Sequence, residues 1–299
     1  MTASGTEELA RFLEAWPQRK LAQARSLREL RLCAEEQSRT IPLPAGCRVE
    51  PIETAGVNGE LLVPAGADRS AAILFHHGGG HVFGSPAEHR HLAARIAAAM
   101  GLPAYNMAYP LAPENPYPAG LDQALRNYRF VLDEGIAPER LIVVGDSAGG
   151  NLSAAMLLRA EREGLPMAAG TYLISPWLDL SDIPADHDLS RDPLLLPEAV
   201  KAWAERYRAG HNATAPEVSP LFADLANFPP CLIQAGGAEL LLREAVAFTR
   251  KLAEAGRDVQ LSVWKDMVHA WPLLHPDLPT TSAGAFAQAA HWAARLLAA

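Results

Sequence analysis

The residue whose surroundings most clearly indicate chemistry is Ser147, in the pentapeptide Gly145-Asp-Ser-Ala-Gly149. An apolar run, Leu141–Val144, precedes this pentapeptide, and a helical pattern over Asn151–Glu163 follows it. Glycine-flanked serines also occur in ordinary turns. The combination of strand, turn and helix is instead typical of a nucleophile elbow, in which a sharp turn exposes the serine and small neighbours prevent backbone collisions. The sequence therefore predicts that Ser147 is a nucleophile.

A second signal is the glycine run Gly78–Gly80, which follows a predicted strand over Ala71–His76 and His77. Alone, such a run is typical of a flexible turn. Upstream of a nucleophile elbow, it predicts a loop whose backbone N–H groups stabilise the negative charge that develops on oxygen during acyl transfer. Glycines allow close approach to a substrate because they carry no Cβ atom. A further N–H group is expected from Ala148, next to the nucleophile.

A serine needs a neighbouring base to remove its proton, and the chain contains ten histidines. In folds with a nucleophile elbow, the order along the chain is serine, acid, histidine. His269 follows the last predicted strand, Val259–Trp264, where such a fold places its base. The other histidines lie in the glycine loop, before the expected acid or away from a strand end, and His275 is interpreted as a surface residue. The sequence predicts His269 as the base.

The carboxylate that orients this base should follow the preceding predicted strand, Cys231–Ala235. Glu239 is the only carboxylate between that strand and the next predicted helix. An acid at this position is also typical of a helix start, where the helix dipole favours a negative charge. Glu239 is therefore the predicted acid, because a carboxylate there would orient the imidazole and stabilise the imidazolium. Glu244 is the reserve candidate.

Alternating strand and helix patterns must position these residues. Short apolar runs are followed repeatedly by helical patterns, which predicts an α/β fold whose mainly parallel sheet is covered on both faces. The predicted strands are Val49–Thr54, Glu60–Val63, Ala71–His76, Ala104–Tyr109, Leu141–Val144, Thr171–Ser175, Cys231–Ala235 and Val259–Trp264. The predicted helices between and after them are His89–Met100, Leu121–Glu134, Asn151–Glu163 and Arg243–Ala255.

Two segments interrupt this alternation within a single domain that spans residues 1–299. The N-terminal segment, about 1–45, has a helical pattern with no strand partner, and the segment about 180–218 inserts prolines and a helical pattern after a strand end. Insertions after the carboxyl ends of strands often form lids or substrate pockets, although a surface excursion without a role has the same pattern. We predict that the two segments form a cap over a catalytic core of about 46–179 and 219–299.

Composition argues against several other functions. The chain of 299 residues has a formal net charge of −8 and no basic cluster longer than a pair, so nucleic acid is not an expected partner. Its three cysteines, Cys33, Cys47 and Cys231, have no CxxC spacing, which argues against a disulfide framework or a zinc site. No secretory signal and no apolar run of about 20 residues is visible, so we expect a cytoplasmic protein without membrane contact. A monomer and a homodimer both stay open.

Several separated motifs, in the same order, resemble those of the bacterial hormone-sensitive-lipase-like family of carboxylesterases. They are His77-Gly-Gly-Gly80, Val82-Phe-Gly-Ser85, Leu111-Ala-Pro-Glu114, Tyr117-Pro118, Gly145-Asp-Ser-Ala-Gly-Gly150, Ser175-Pro-Trp177 with Asp179, and Met267-Val-His269, and they extend from about residue 71 to 271. The resemblance implies an α/β-hydrolase fold, with an eight-stranded, mostly parallel sheet flanked by helices, and a helical cap. It also implies ester hydrolysis without a cofactor or metal, and oxyanion donors at Gly79, Gly80 and Ala148.

The chain departs from this family pattern at three places. Most relatives have Asp-Pro-Leu where this chain has Glu239-Leu-Leu241, although a subset has Glu. Pro110 replaces a usual arginine, which changes local packing. His81 replaces the usual aromatic residue after the glycine triplet, which changes the alcohol side of the pocket. We expect His81, Trp177 and Trp203 to bind the substrate.

The predicted function is hydrolysis of short- to medium-chain acyl esters, through a Ser-His-Glu triad and an acyl-enzyme intermediate. Lactonase and amidase activity stay open as alternatives, because the same machinery attacks any activated acyl carbon. A ligand-binding protein without catalysis is an alternative of another class. It is disfavoured because a serine, a histidine and a carboxylate are all retained.

Overall fold

The computed structural model describes residues 3–54, 56–183 and 188–298. They form one eight-stranded sheet, whose strands are β1 (Arg48–Thr54), β2 (Val57–Val63), β3 (Ala72–His76), β4 (Ala104–Met107), β5 (Leu141–Asp146), β6 (Gly170–Ile174), β7 (Cys231–Gly236) and β8 (Val259–Trp264). The spatial order is β1-β2-β4-β3-β5-β6-β7-β8. Strand β2 lies antiparallel to β1 and β4, and every pairing from β4 to β8 is parallel. The predicted α/β-hydrolase architecture is confirmed.

Helices cover both faces of this sheet. The described residues contain the α-helices α1 (Ala3–Ala15), α2 (Lys20–Gln23), α3 (Leu27–Ser38), α4 (Pro86–Met100), α5 (Ala119–Asp133), α6 (Ala148–Arg162), α7 (Pro197–Arg208), α8 (Leu242–Glu254) and α9 (Pro279–Leu297). One apolar core lies between the sheet and α5, α6 and α8, and a second lies between the sheet and α4 and α9. In the described ranges, no helix is long and apolar enough to cross a membrane.

The central strands explain why their sequence shows no polar alternation. In β5, Val143 faces the core formed with α5, α6 and α8, whereas its neighbours Ile142 and Val144 face the core formed with α4 and α9. All three side chains are completely buried. A strand covered on both faces needs apolar residues at consecutive positions, because successive side chains point to opposite faces. The carboxyl end of β5 therefore lies in the middle of the molecule, where it presents Ser147.

The N-terminal segment differs from a single long helix. It divides into α1, a short 3-10 turn over Trp16–Gln18, α2 and α3. Pro17 lies in that turn, where its missing N–H group and its ring disfavour a continuous α-helix. Phe12 of α1 and Trp16 of the following turn pack against a cluster with Trp271 and the start of α9. Helix α9 is absent from the prediction, and it supplies the surface that this apolar stripe covers.

Candidate active site

Ser147 lies at a sharp turn between β5 and α6, with φ 53° and ψ −119°. A positive φ is uncommon for a residue with a Cβ atom and indicates a strained backbone. The turn is held by a hydrogen bond from the N–H of Ser147 to the carbonyl of Ile174, at 2.8 Å. A Cβ atom on Gly145 would lie 2.3 Å from the carbonyl oxygen of Gly149, and one on Gly149 would lie 2.1 Å from that of His76. The two glycines of the motif are therefore required by packing.

His269 lies in the loop after β8, and its Nε2 is 2.9 Å from Ser147 Oγ. Both side chains are buried. The loop contains two residues with left-handed backbone, Asp266 (φ 60°) and Ala270 (φ 46°), which flank the histidine. The N–H of Ala270 donates to Ser175 Oγ at 3.0 Å and fixes one side of the loop. The structure thus brings the predicted nucleophile and the predicted base within hydrogen-bond distance.

Glu239 follows β7, and its buried carboxylate lies beside the imidazole of His269. Glu239 Oε2 is 3.8 Å from His269 Nδ1, which is longer than a hydrogen bond. This oxygen accepts instead from Ser175 Oγ at 2.5 Å and from the N–H of Gly236 at 3.1 Å. Neither His269 Nδ1 nor Glu239 Oε1 has a hydrogen-bond partner within the part of the chain that the structure describes. The carboxylate of Glu239 therefore lies beside Nδ1 of His269 without a hydrogen bond to it.

The reserve acid, Glu244, serves a different loop. Its Oε2 accepts hydrogen bonds from the N–H groups of Leu178 at 2.6 Å and Asp179 at 2.9 Å. Burial raises the pKa of Glu244 well above its usual value. Its carboxylate therefore holds the chain that follows β6, and the geometry favours Glu239 as the partner of the base.

The charges around His269 favour its protonated form. Burial alone lowers the pKa of His269, but the adjacent carboxylate of Glu239 raises it, and the charges of Asp192 and Asp146 raise it further. The pKa of His269 lies above its ordinary value of 6.5 as a result. An imidazole in this position readily accepts the proton of the serine hydroxyl.

The glycine loop after β3 lies directly beside the elbow. Asp146 orders it, because Asp146 Oδ1 accepts from the N–H of Gly78 at 3.0 Å. Gly79 has φ 110°, and a Cβ atom there would lie 2.1 Å from the carbonyl oxygen of Phe83. Among the hydrogen bonds between described residues, none uses the N–H of Gly79, Gly80 or Ala148. These three donors are therefore available to a substrate oxygen.

The three predicted substrate-binding residues occupy two different environments. His81 is buried and stacks on Tyr207 of α7, with ring centroids 3.8 Å apart. Trp177 is also buried, with its ring centroid 6.2 Å from that of His81. Trp203 lies over the glycine loop, since a Cβ atom on Gly80 would be 2.6 Å from its ring. Trp203 lines an open groove, whereas His81 and Trp177 belong to the packed layer beneath it.

The two segments of the predicted cap line one groove of about 990 Å³. Its walls come from the N-terminal segment on one side and from residues 189–206 on the other. The large apolar side chains in these walls are Trp16, Leu27, Leu30, Leu189, Leu194, Leu196 and Trp203. Among the described residues that line the groove, Trp203 also contacts the glycine loop at Gly80, whereas Ser147, Glu239 and His269 do not line it.

Two residues that hold the base were not predicted from the sequence, and one histidine has a different environment from the predicted one. Ser175, at the end of β6, bonds both the acid and the loop of His269, and a polar residue at a strand end is a signal that was available. Asp192 accepts a hydrogen bond from the N–H of His269 at 2.7 Å. Because the two residues are 77 positions apart, no local sequence pattern predicts this contact. His275, interpreted as a surface residue, is half-buried, and its ring lies 5.6 Å from that of His91.

Side chains that commonly bind metals do not cluster in the described ranges. No group of three or more His, Cys, Asp or Glu side chains there has the spacing of a metal site. Cys33, Cys47 and Cys231 are free thiols, and Cys231 is buried.

A serine at the elbow after the central strand, with a histidine after the last strand of a mostly parallel sheet, defines a serine hydrolase of the α/β-hydrolase fold. The chain belongs to the alpha/beta hydrolase fold family, whose model matches residues 73–273. This assignment agrees with the order of the motifs and with the position of each along the sheet.

Individual relatives narrow this class. The chain is 36% identical to an acetyl-hydrolase of Streptomyces hygroscopicus over 248 residues, which cover 82% of each chain. It is 34% identical to an esterase of Acinetobacter venetianus, over 84% of this chain and 83% of the relative. The crystal structure of an esterase from the bacterial hormone-sensitive lipase family superposes with a TM-score of 0.90 at 34% identity, covering 97% of this chain and 98% of that one. The resemblance to that family is confirmed, and the chain is an esterase- or lipase-like serine hydrolase.

Proposed function

We propose that the protein hydrolyses carboxylic esters with short to medium acyl chains through a triad of Ser147, His269 and Glu239. The observation that carries this proposal is the 2.9 Å contact between His269 Nε2 and Ser147 Oγ at a strained elbow. The unused N–H groups of the glycine loop lie beside that contact. A nucleophile, its base and oxyanion donors are the parts that acyl transfer needs.

In the first half of the reaction, Ser147 Oγ attacks the ester carbonyl carbon while its proton passes to His269 Nε2. The carbonyl oxygen becomes an oxyanion, which accepts hydrogen bonds from the N–H groups of Gly79, Gly80 and Ala148. When the tetrahedral intermediate collapses, His269 gives its proton to the departing alcohol. An acyl-enzyme on Ser147 remains.

In the second half, His269 removes a proton from water, and the resulting hydroxide attacks the acyl carbon. Collapse of the new tetrahedral intermediate releases the carboxylic acid and returns the proton to Ser147 Oγ. Throughout, the carboxylate of Glu239 stabilises the imidazolium and keeps Nδ1 protonated, so that Nε2 is free to accept. Its hydrogen bonds from Ser175 and Gly236 hold that carboxylate in place.

The groove between the two cap segments supports the proposed chain length. Its apolar walls stabilise an acyl chain, and each buried methylene contributes about 0.8 kcal/mol. Trp203 lies over Gly80, where it limits the space beside the oxyanion loop. The similarity to the acetyl-hydrolase of Streptomyces hygroscopicus agrees with a small acyl group. We propose that the cap segments set the upper limit of the chain.

A series of p-nitrophenyl esters with acyl chains from acetyl to oleoyl tests this proposal. We expect kcat/KM to rise and then fall, with its maximum at roughly two to eight carbons, because a pocket of limited volume rejects longer chains. Trp203→Ala should move that maximum to longer chains, and Phe222→Ala, an exposed residue outside the groove, should not. A lactone and an anilide in the same series should be poorer substrates. A steady rise through oleoyl esters would reject the limited pocket.

A further inference from the structure

Three neighbouring residues just before α7 contact the loop that carries the base. The Oδ2 atom of Asp192 accepts a hydrogen bond from the backbone N–H of His269 at 2.7 Å. On one side of Asp192, the exposed Arg191 forms an ion pair with Asp266 at 3.1 Å. On the other side, Leu194 packs against the apolar cluster beneath the loop. The cap segment and the base loop are therefore joined at the catalytic histidine itself.

The central residue of this contact is a completely buried carboxylate. The Oδ1 atom of Asp192 accepts from the N–H of Leu194 at 3.0 Å, so each oxygen receives a backbone donor. A buried carboxylate is costly to desolvate, and apolar residues of similar size usually stabilise such a position as well or better. Packing alone does not explain an aspartate here. The two acceptor atoms and the charge are the properties that only a carboxylate supplies.

Two backbone N–H groups at His269 donate hydrogen bonds to side chains that lie outside the loop of the base. The N–H of His269 donates to Asp192, and the N–H of the next residue, Ala270, donates to Ser175 Oγ. Fixing these two peptide groups fixes the direction of the Cα–Cβ bond of His269, and with it the position of Nε2. Small errors in such geometry are expensive, because a displacement of about 1 Å costs on the order of a hundredfold in rate.

The charge of Asp192 also acts on the imidazole. The groups that face His269 are Ser147 at Nε2, Glu239 near Nδ1 and Asp192 at the backbone N–H, with the charge of Asp146 beyond them. A negative charge in a buried site stabilises a nearby positive charge more than it would in water. Asp192 and Glu239 therefore both place negative charge near the same imidazolium.

We propose that Asp192 is a positioning residue for the base. It holds the main chain of His269 so that Nε2 stays on Ser147 Oγ, and its negative charge favours the imidazolium that forms when the serine proton moves to Nε2. It acts through His269 and does not touch the substrate. This inference rests on the proposed function, because it requires that His269 is the base.

The test is Asp192→Asn, which keeps the shape of the side chain. An amide has one oxygen, so one of the two N–H groups loses its acceptor, and the negative charge is lost as well. With kcat expressed per site titrated with a fluorophosphonate, we expect a fall of about ten- to hundredfold and little change in KM. The acid limb of the profile of kcat/KM against pH should move to lower pH, because a charge that favours protonated His269 is gone.

The matched control is Asp182→Asn, in the same cap segment. Asp182 forms an exposed ion pair with Arg243, so this variant should keep the kcat and the pH profile of the wild type. If Asp192→Asn keeps kcat within twofold and leaves the acid limb in place, the proposal is overturned, whether or not its melting temperature falls. If Asp192→Asn does not fold, Asp192→Glu replaces it, since it keeps the charge and displaces only the acceptors. Its kcat should fall with the acid limb unmoved, and a wild-type kcat overturns the proposal.

Failure of the proposed function has a different signature. In that case the wild-type protein shows no ester hydrolysis that depends on Ser147, and the comparison between Asp192→Asn and Asp182→Asn shows no difference because there is no rate to compare. If hydrolysis requires Ser147 but its rate and pH profile do not change in Asp192→Asn, only the role of Asp192 is overturned.

Discussion

The nucleophile and the base reach the same point in this protein by different means. Ser147 is held by its neighbours in the chain, because Gly145 and Gly149 allow the backbone of the elbow to close on itself and on His76. His269 lies in a loop after β8, the last strand at one edge of the sheet, and side chains distant in the chain hold it. Those side chains are Asp192, Ser175 and Glu239.

This difference predicts two kinds of damage. A side-chain atom added at the elbow or in the glycine loop would collide with closely packed backbone atoms. Such a substitution therefore affects both folding and the chemical step. A change around His269 removes hydrogen bonds or charge but leaves the sheet intact, so it affects the rate and its dependence on pH. The predictions below separate the two regions on that basis.

The largest effect is expected from Ser147→Ala. Removal of the nucleophile should lower kcat by about 10⁴-fold or more, leaving only weak catalysis from the oxyanion donors and binding. The backbone of the elbow stays as it is, so the melting temperature should remain close to that of the wild type. Steady-state hydrolysis of p-nitrophenyl butyrate and thermal unfolding measure the two quantities. A folded variant with near-normal turnover would exclude Ser147 as the nucleophile.

The next effect concerns the acid. Glu239→Gln should lower kcat by on the order of 10²- to 10⁴-fold, because an amide neither stabilises the imidazolium nor enforces the tautomer of His269. The control is Glu244→Gln, another buried carboxylate of the same region, which bonds the N–H groups of Leu178 and Asp179. That variant should lower the free energy of unfolding, and its kcat should fall less than that of Glu239→Gln. The opposite ranking of the two kcat values would move the acid to Glu244.

Gly79→Ala tests the region held by backbone packing. A Cβ atom there would lie 2.1 Å from the carbonyl oxygen of Phe83, so the loop must shift. Its N–H groups would then no longer point at the substrate oxygen. We expect kcat to fall by roughly 10²- to 10³-fold, as for loss of an oxyanion donor. Gly164→Ala is a matched control with a positive φ but no atom within 4 Å of the new Cβ.

Urea unfolding and kcat are measured for both glycine variants. Gly164→Ala should cost about 1–2 kcal/mol of stability, from backbone strain alone, and leave kcat unchanged. Gly79→Ala should lose more stability than this control in addition to its activity. Equal kcat values for the two variants would show that the conformation of the glycine loop does not matter to the reaction.

The smallest effect is a shift in pH dependence. Activity requires neutral His269, whose pKa is raised above 6.5 because the carboxylates of Glu239, Asp192 and Asp146 outweigh its burial. We therefore expect kcat/KM to fall as the pH drops through a value above 6.5. In Glu239→Gln, the acid limb should lie at lower pH than in the wild type. An acid limb of the wild-type profile below 6.5 would contradict the proposed electrostatics of the base.

The comparison also explains how far the sequence could predict the site. The elbow at Ser147 depends on residues within a few positions, so its motif, strand and helix can all be predicted from one stretch of the chain. Apolar patterns likewise predict most strands, and they predict α4, α5, α6 and α8 to within three residues at each end, but α9 is not among the predicted helices. The N-terminal segment is harder to predict, because the surface that α1 covers includes α9, at the other end of the chain.

The surroundings of His269 are the part that the sequence does not reveal. Asp192 lies before a proline in a segment with several acidic residues, and nothing in that pattern distinguishes it from its exposed neighbours such as Asp188. Only the fold brings it to the main chain of His269. The 3.8 Å separation between His269 Nδ1 and Glu239 Oε2 is likewise a matter of side-chain orientation, which chain order cannot predict.

The central claim is that Ser147 is a nucleophile activated by His269. The most direct measurement is covalent labelling with a fluorophosphonate, followed by mass spectrometry of the digested protein to locate the modified residue. We expect one adduct per chain, on Ser147, and a labelling rate that falls by several orders of magnitude in His269→Ala while the fold is kept. An adduct on another residue, or equal labelling rates in the wild type and His269→Ala, would contradict it.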